Sequence, residues 1–233
     1  MERRRAFTLI EMMVVMIIIT VLASLLLPSV RKAREQSQRV ACMSNLRQVT
    51  QAFISYAVDH DGQFLCLDST TAQIGIASNT DNGQAILALY PYLRSSRVFH
   101  CPADPRDNGL SYSPNDFLGP RQQVWSDYVN PLPQYLKVPN SATVYAMIEE
   151  FDLYPRTPDN PGGFVVEAAP ATIWIDTPGV AHGGGSCLTF LDGHCEFWPW
   201  SDPRTLALPA GSHKVITPNN PDLVRLQGVL GGK

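Results

Sequence analysis

From Phe7 to Leu27 the chain is apolar at every position except Thr8, Glu11, Thr20 and Ser24. About 20 apolar residues are enough to cross a bilayer as a helix. The pattern then changes without a break. Beyond Val30, apolar residues fall at Val40, Met43, Leu46, Val49, Phe53 and Tyr56, mostly three or four apart. Arg31, Lys32, Arg34, Glu35, Arg39 and Arg47 take the intervening positions. That spacing is the stripe of an amphipathic helix. No glycine precedes Gly62, and Pro28 is the only proline before residue 91. One helix from about Phe7 to Asp59 is therefore expected, kinked near Pro28. At 1.5 Å per residue it would run roughly 80 Å. Asp59-His60-Asp61-Gly62 reads as its stop and as a polar turn, in preference to a cation site.

Further along, the period falls to two. Residues 143–149, 163–167, 172–175, 186–191 and 194–198 have strand character. Asp192-Gly193 between the last two predicts a two-residue hairpin. In that register Phe190 faces Cys195 and Leu188 faces Phe197, all four on a buried side turned to Leu46, Phe53 and Tyr56. Thr189 and Glu196 point the other way. Residues 85–93 suggest a short helix. Residues 101–140, with Cys101-Pro102-Ala103-Asp104-Pro105 and Tyr112-Ser113-Pro114, suggest loops. The expected class is α+β, with a helix on a small antiparallel sheet. The expected divisions are 1–6, 7–29 (membrane span), 30–60 (amphipathic continuation), 61–200 (globular head) and 201–233 (an irregular, partly disordered tail).

Composition changes this picture little. With 45% hydrophobic and 17% charged residues, wholesale disorder is excluded. The net charge is −3, and the first six residues carry Glu2 against Arg3, Arg4 and Arg5. The remainder is more acidic still, and gives no electrostatic reason to expect nucleic acid. Cys42, Cys66, Cys101, Cys187 and Cys195 form no C-x-x-C pair. An odd count allows two disulfides at most. One bridge, with partners open, stands beside the alternative of buried reduced thiols.

The densest group of ligand-type residues is His182, Cys187, Asp192, His194 and Cys195. On the hairpin Cys195 points away from His194, so convergence on a metal is poor. A hydrogen bond from His182 to Asp192, fastening Gly183-Gly184-Gly185 to the turn, is the preferred reading. No metal or cofactor is expected. Nucleophile elbow, phosphate loop and dinucleotide fingerprint are all missing from the sequence, so no catalytic residue is assigned and no enzyme is expected.

The first 29 residues admit three readings. One is a plain anchor. Another is a signal peptide, with Val21-Leu22-Ala23 loosely fitting a cleavage site. The third takes Arg3-Arg4-Arg5-Ala6-Phe7-Thr8-Leu9-Ile10-Glu11 together. This string closely resembles the leader and start of type IV prepilins and type II secretion pseudopilins, with Ala6 where glycine is usual. The resemblance implies a cut between Ala6 and Phe7 by a prepilin peptidase/N-methyltransferase and methylation of the new Phe7 amine. It also implies a pilin-like fold, a cytoplasmic leader and an extracytoplasmic head. In that family Glu11 is taken to neutralise the new amine of a neighbouring subunit, because an unpaired buried charge is costly. The implied partners are the peptidase, other pilin-like subunits and the inner membrane.

A second resemblance lies in His182-Gly183-Gly184-Gly185 and, nine residues after the histidine, Asp192-Gly193. It is similar to the C-terminal H-x9-DG signature of a prepilin-like family common in planctomycetes and their relatives. Residues 39–64 and 98–105 also resemble that family. Two other readings stay open: a membrane-anchored surface or adhesion protein that never polymerises, and a periplasmic metal-dependent hydrolase.

Overall fold

The computed structural model describes residues 8–65, 89–93, 95–105, 111–119, 134–151, 163–167, 172–209, 211–212 and 214–231. The junction Ala6–Phe7, Cys66 and residues 85–88 lie outside these. The chain divides into two units, Met1–Ser37 and Gln38–Lys233.

In the first unit, helix α1 (Leu9–Asp59) begins and continues through Pro28. Every described residue from Thr8 to Ser37 is exposed, including Leu9 at 75% and Leu25 at 69%. The helix is long and apolar enough to cross a membrane. The hydroxyls of Thr20 and Ser24 are satisfied within the helix. Thr20 Oγ1 donates to Met16 O at 2.6 Å and Ser24 Oγ to Val21 O at 2.8 Å. Such back-bonding is what a hydrocarbon surrounding demands of polar groups.

In the second unit α1 changes character. Cys42, Leu46, Val49, Thr50, Ala52, Phe53 and Ala57 are buried. Met43 and Tyr56 pack at the margin of this core, whereas Val40 is 58% exposed. The stripe thus lies to one side of the line expected through Val40 and Met43. It packs on an antiparallel sheet ordered β1-β2-β4-β5: β1 (Tyr112–Pro114), β2 (Tyr145–Glu149), β4 (Gly185–Phe190) and β5 (Cys195–Pro199). Strand β1 falls where loops were expected. β3 (Ile173–Trp174) pairs separately with β6 (Val215–Ile216). Among the described residues, 163–167 make a single bridge, Phe164 to Asn115. Tyr90–Leu93 forms a one-turn helix, α2.

The β4–β5 hairpin departs from its expected register by one residue. Thr189 pairs with Cys195, Leu188 with Glu196 and Cys187 with Phe197. Phe190 N donates to His194 O at 3.0 Å, and Gly193 N to Phe190 O at 2.9 Å. The loop therefore has three residues, Leu191-Asp192-Gly193, with Gly193 in the left-handed region at φ 88°. This is a type I turn followed by a glycine bulge, the next most common hairpin after the two-residue form. A one-residue shift sends side chains to the opposite face. Phe190 and Leu188 accordingly face away from α1, while Cys187, Thr189 and Phe197 face it. The Arg39 guanidinium lies 4.5 Å from the Phe197 ring centroid, and Thr50 and Thr189 share a 2.5 Å hydrogen bond.

Both faces of the sheet are covered, which explains why all six residues of β4 are buried. The second cover comes from the segment expected to be an irregular tail. It forms α3 (Pro203–Leu206), β6 and α4 (Pro221–Gln227). Leu223, Leu226 and Leu230 join Tyr145, Ile148, Leu188, Trp174, Trp198 and Trp200 in a second core. Each short helix is capped. Asp202 accepts from Arg204 N, and Asn220 accepts from Asp222 N and Leu223 N, with proline next in both cases. An acid or amide side chain followed by proline is the N-cap and N1 signature. The Asp222 carboxylate then binds Ser201 N and Asp202 N at 3.0 and 2.9 Å, joining the two helix starts.

Two substitutions test this packing. Leu46 is fully buried, so Leu46→Ala should cost about 2–5 kcal/mol. At Gly185 an added Cβ would lie 2.6 Å from Phe197 Cζ and would also meet the Trp198 carbonyl. Gly185→Ala should cost about 1–3 kcal/mol through overpacking. Denaturant titration of the full chain in detergent, followed by tryptophan fluorescence, measures both. Wild-type midpoints would show that neither contact carries weight.

Candidate functional site

Among the described residues, two places concentrate polar chemistry in apolar surroundings. The first is the start of α1. Thr8 precedes the first helical residue, and Glu11 lies three positions on. Glu11 N donates to Thr8 Oγ1 at 3.3 Å, while Thr8 N and Thr8 Oγ1 both donate to Glu11 Oε2 at 2.8 Å. This reciprocal arrangement is a capping box. It satisfies backbone donors that the first turn of a helix leaves open. The carboxylate in the apolar run thus has a structural task within its own chain. Thr-x-x-Glu ahead of an apolar run is the sequence signal for it.

The second place lies in the core between α1 and the sheet. Glu149, at the end of β2, is fully buried. Its Oε2 accepts from Cys187 N at 2.7 Å, and its Oε1 accepts from the Cys42 thiol. His182 Nε2 lies 3.0 Å from Glu149 Oε1 and 3.3 Å from Cys101 Sγ. The ligand atoms of Cys42, Cys101, Glu149 and His182 all fall within 4.8 Å of one another. His182 sits at φ 55°, followed by Gly183 and Gly184 at 84° and 97°. Three successive left-handed residues turn the imidazole into the core, and glycine makes the last two possible without steric penalty. Cys101 is presented by a tight turn. Asp104 N donates to Cys101 O at 2.9 Å, and Ala103 N to Cys101 Sγ at 3.4 Å.

The electrostatics of this group follow from crowding. Burial, first of all, raises the Cys42 thiol far above its usual range. Cys101 is lowered to about 7, chiefly by the hydrogen bond with Cys42 and further by His182, against burial. Burial works against the His182 cation, yet Cys101 and Glu149 raise its pKa to about 10. His182 Nδ1 is buried with no hydrogen-bond partner among the described residues.

The expected bond between His182 and Asp192 does not form. They stand at opposite ends of β4, and each has other partners. Asp192 Oδ1 accepts from His194 N at 3.0 Å and contacts His194 Nδ1 at 2.5 Å. The group His182, Cys187, Asp192, His194, Cys195 is thereby divided: His182 lies in the core, while Asp192 and His194 lie at the hairpin tip. Asp192 and Gly193 shape that turn. Cys42, Cys101, Cys187 and Cys195 are free thiols, the first three buried. The Asp59–Asp61 stretch is a turn, where Asp59 accepts from Tyr92 OH at 2.9 Å and His60 stacks on Tyr56. Glu149, Cys42 and Cys101 were not assigned a shared site from sequence, because 48 or more residues separate any two of them. The two signals available were a carboxylate closing an otherwise apolar strand and a Cys-Pro knuckle.

The sequence matches the prokaryotic N-terminal methylation motif over residues 1–27. It is 37% identical over 59 residues to a ComG operon protein 3 homolog of Bacillus licheniformis, which is 25% of this chain and 61% of that protein. To type II secretion system core protein G of Klebsiella pneumoniae it is 40% identical over 60 residues, 26% of this chain and 43% of that one. To the core protein G of Escherichia coli it is 30% identical over 107 residues, 46% of this chain and 70% of that one. The chain thus spans 43–61% of the first two relatives. No solved structure matches. From Thr8 to Leu27 the methylation motif covers residues that the structure leaves exposed, and the likeness to core protein G extends over most of that protein's length; the chain belongs to the prepilin and pseudopilin family.

Proposed function

We propose that the chain is a pseudopilin: a structural subunit, not an enzyme, of a type II secretion or type IV pilus-like filament. A prepilin peptidase/N-methyltransferase cuts between Ala6 and Phe7 and methylates the new amine. The segment 7–29 holds the subunit in the inner membrane, with residues 30–60 and the head on the extracytoplasmic side. Assembly then moves the apolar helix from lipid into contact with other pilin-like subunits. The observation that carries this reading is the exposed apolar surface of Leu9–Leu27, with its single carboxylate, under a methylation motif. His182, Asp192 and Gly193 serve the architecture of the head.

Glu11 then has two tasks: the cap in its own helix, and neutralisation of a neighbour's amine. They are separable, because glutamine also closes a capping box but carries no charge. Glu11→Gln should insert and fold as wild type, yet fall at least roughly tenfold in recovery from sheared filaments or crosslinked oligomers, as expected for a buried charge left unpaired. Val15→Leu, which keeps the apolar volume, should assemble normally. Membrane-normalised recovery of Glu11→Gln equal to wild type would remove the charge from the assembly mechanism.

A further inference from the structure

We propose that Cys42, Cys101, Glu149 and His182 form a closed, structural zinc site that ties α1 to the sheet. This is independent of the filament reading. The donor set is two sulfurs, one imidazole nitrogen and one carboxylate oxygen. That mixture suits a borderline ion such as zinc, whereas calcium and magnesium select oxygen ligands. The four ligand atoms lie within 4.8 Å of one another. Ordinary zinc–ligand bonds place the corners of a tetrahedron about 3.2–3.8 Å apart. The edges from Cys101 Sγ to His182 Nε2 and to Glu149 Oε1, 3.3 and 3.4 Å, fall in that range; those from Glu149 Oε1 to His182 Nε2, at 3.0 Å, and to Cys42 Sγ are shorter and would open as the ion enters.

The surroundings are those of a built site. Each anionic ligand has a further polar neighbour: Ala103 N–H on Cys101 Sγ, Tyr112 OH at 3.1 Å from Cys42 Sγ, and Cys187 N–H on Glu149 Oε2. Such outer partners orient ligands and tune the metal. Without metal, Glu149 is paired with His182 at 3.0 Å; zinc would replace the imidazole proton and both thiol protons, so its uptake releases protons. The ligands come from four separate stretches of chain: α1, the Cys-Pro knuckle, the end of β2 and the glycine-rich turn before β4. Four protein ligands leave no open coordination position, so the site holds the fold and does not hydrolyse.

The test uses the full chain, purified in detergent and reconstituted with zinc, then dialysed against metal-free buffer. Mass spectrometry of the metal should find one zinc per chain. Cobalt in its place should give tetrahedral visible bands and a near-ultraviolet thiolate charge-transfer band. Cys101→Ala and His182→Ala should lose the metal; Cys195→Ala, which lies outside the group, should keep it. Near-ultraviolet dichroism from Trp174, Trp198 and Trp200 reports the fold of each variant. The wild-type result stands without the variants. Folded wild type that retains less than a tenth of an equivalent of zinc would overturn the site. So would an intact mass and thiol count showing a Cys42–Cys101 disulfide in freshly isolated protein, or cobalt spectra without charge transfer.

Discussion

A single helix in this protein has to satisfy two surroundings, and most of the structure follows from that. From Leu9 to Val30, α1 presents apolar side chains all round, and none is buried. No aqueous monomer is a resting state for such a surface, since about 25 cal/mol is at stake for every Å² kept from water. From Cys42 onward the same helix carries one buried stripe and a polar back. The chain can therefore fold its head on the second half while the first half stays free for lipid or for other subunits.

The head shows how a short helical stripe is made sufficient. One face of the sheet takes Leu46, Val49 and Phe53; the other takes the tryptophans and the C-terminal leucines. The β-bulge in β2 makes this possible. Register shifts between Tyr145 and Met147, so Ala146 and Met147 both join the helix side while Tyr145 and Ile148 join the other. With strands buried on both sides, a carboxylate such as Glu149 has no solvent to reach. It is held by the Cys187 amide, the Cys42 thiol and His182.

The long helix, its stop at Asp59 and the hairpin around Asp192-Gly193 were legible because each rests on local pattern. Thr8 and Glu11 carry a local signal too, and the leader string beside them pointed to the family. The hairpin register was missed because Asp-Gly supports both two- and three-residue loops, and alternation alone cannot choose when both faces are apolar. The C-terminal helices hid behind low hydrophobic periodicity, although Asp202-Pro203 and Asn220-Pro221 announce their starts. The Glu149 cluster was beyond local reading altogether. Its four members meet only through tertiary packing, and the nearest pair in sequence is separated by 33 positions.

The central claim is that the apolar half of α1 is a processed assembly segment and not a permanent anchor. The most direct measurement is the intact mass and N-terminal sequence of the chain after expression in membranes with a prepilin peptidase. The account predicts a chain that begins at Phe7 and carries one methyl group on its amine. An unprocessed chain, or one that begins at Ser24 after cleavage as an ordinary signal peptide, would contradict it.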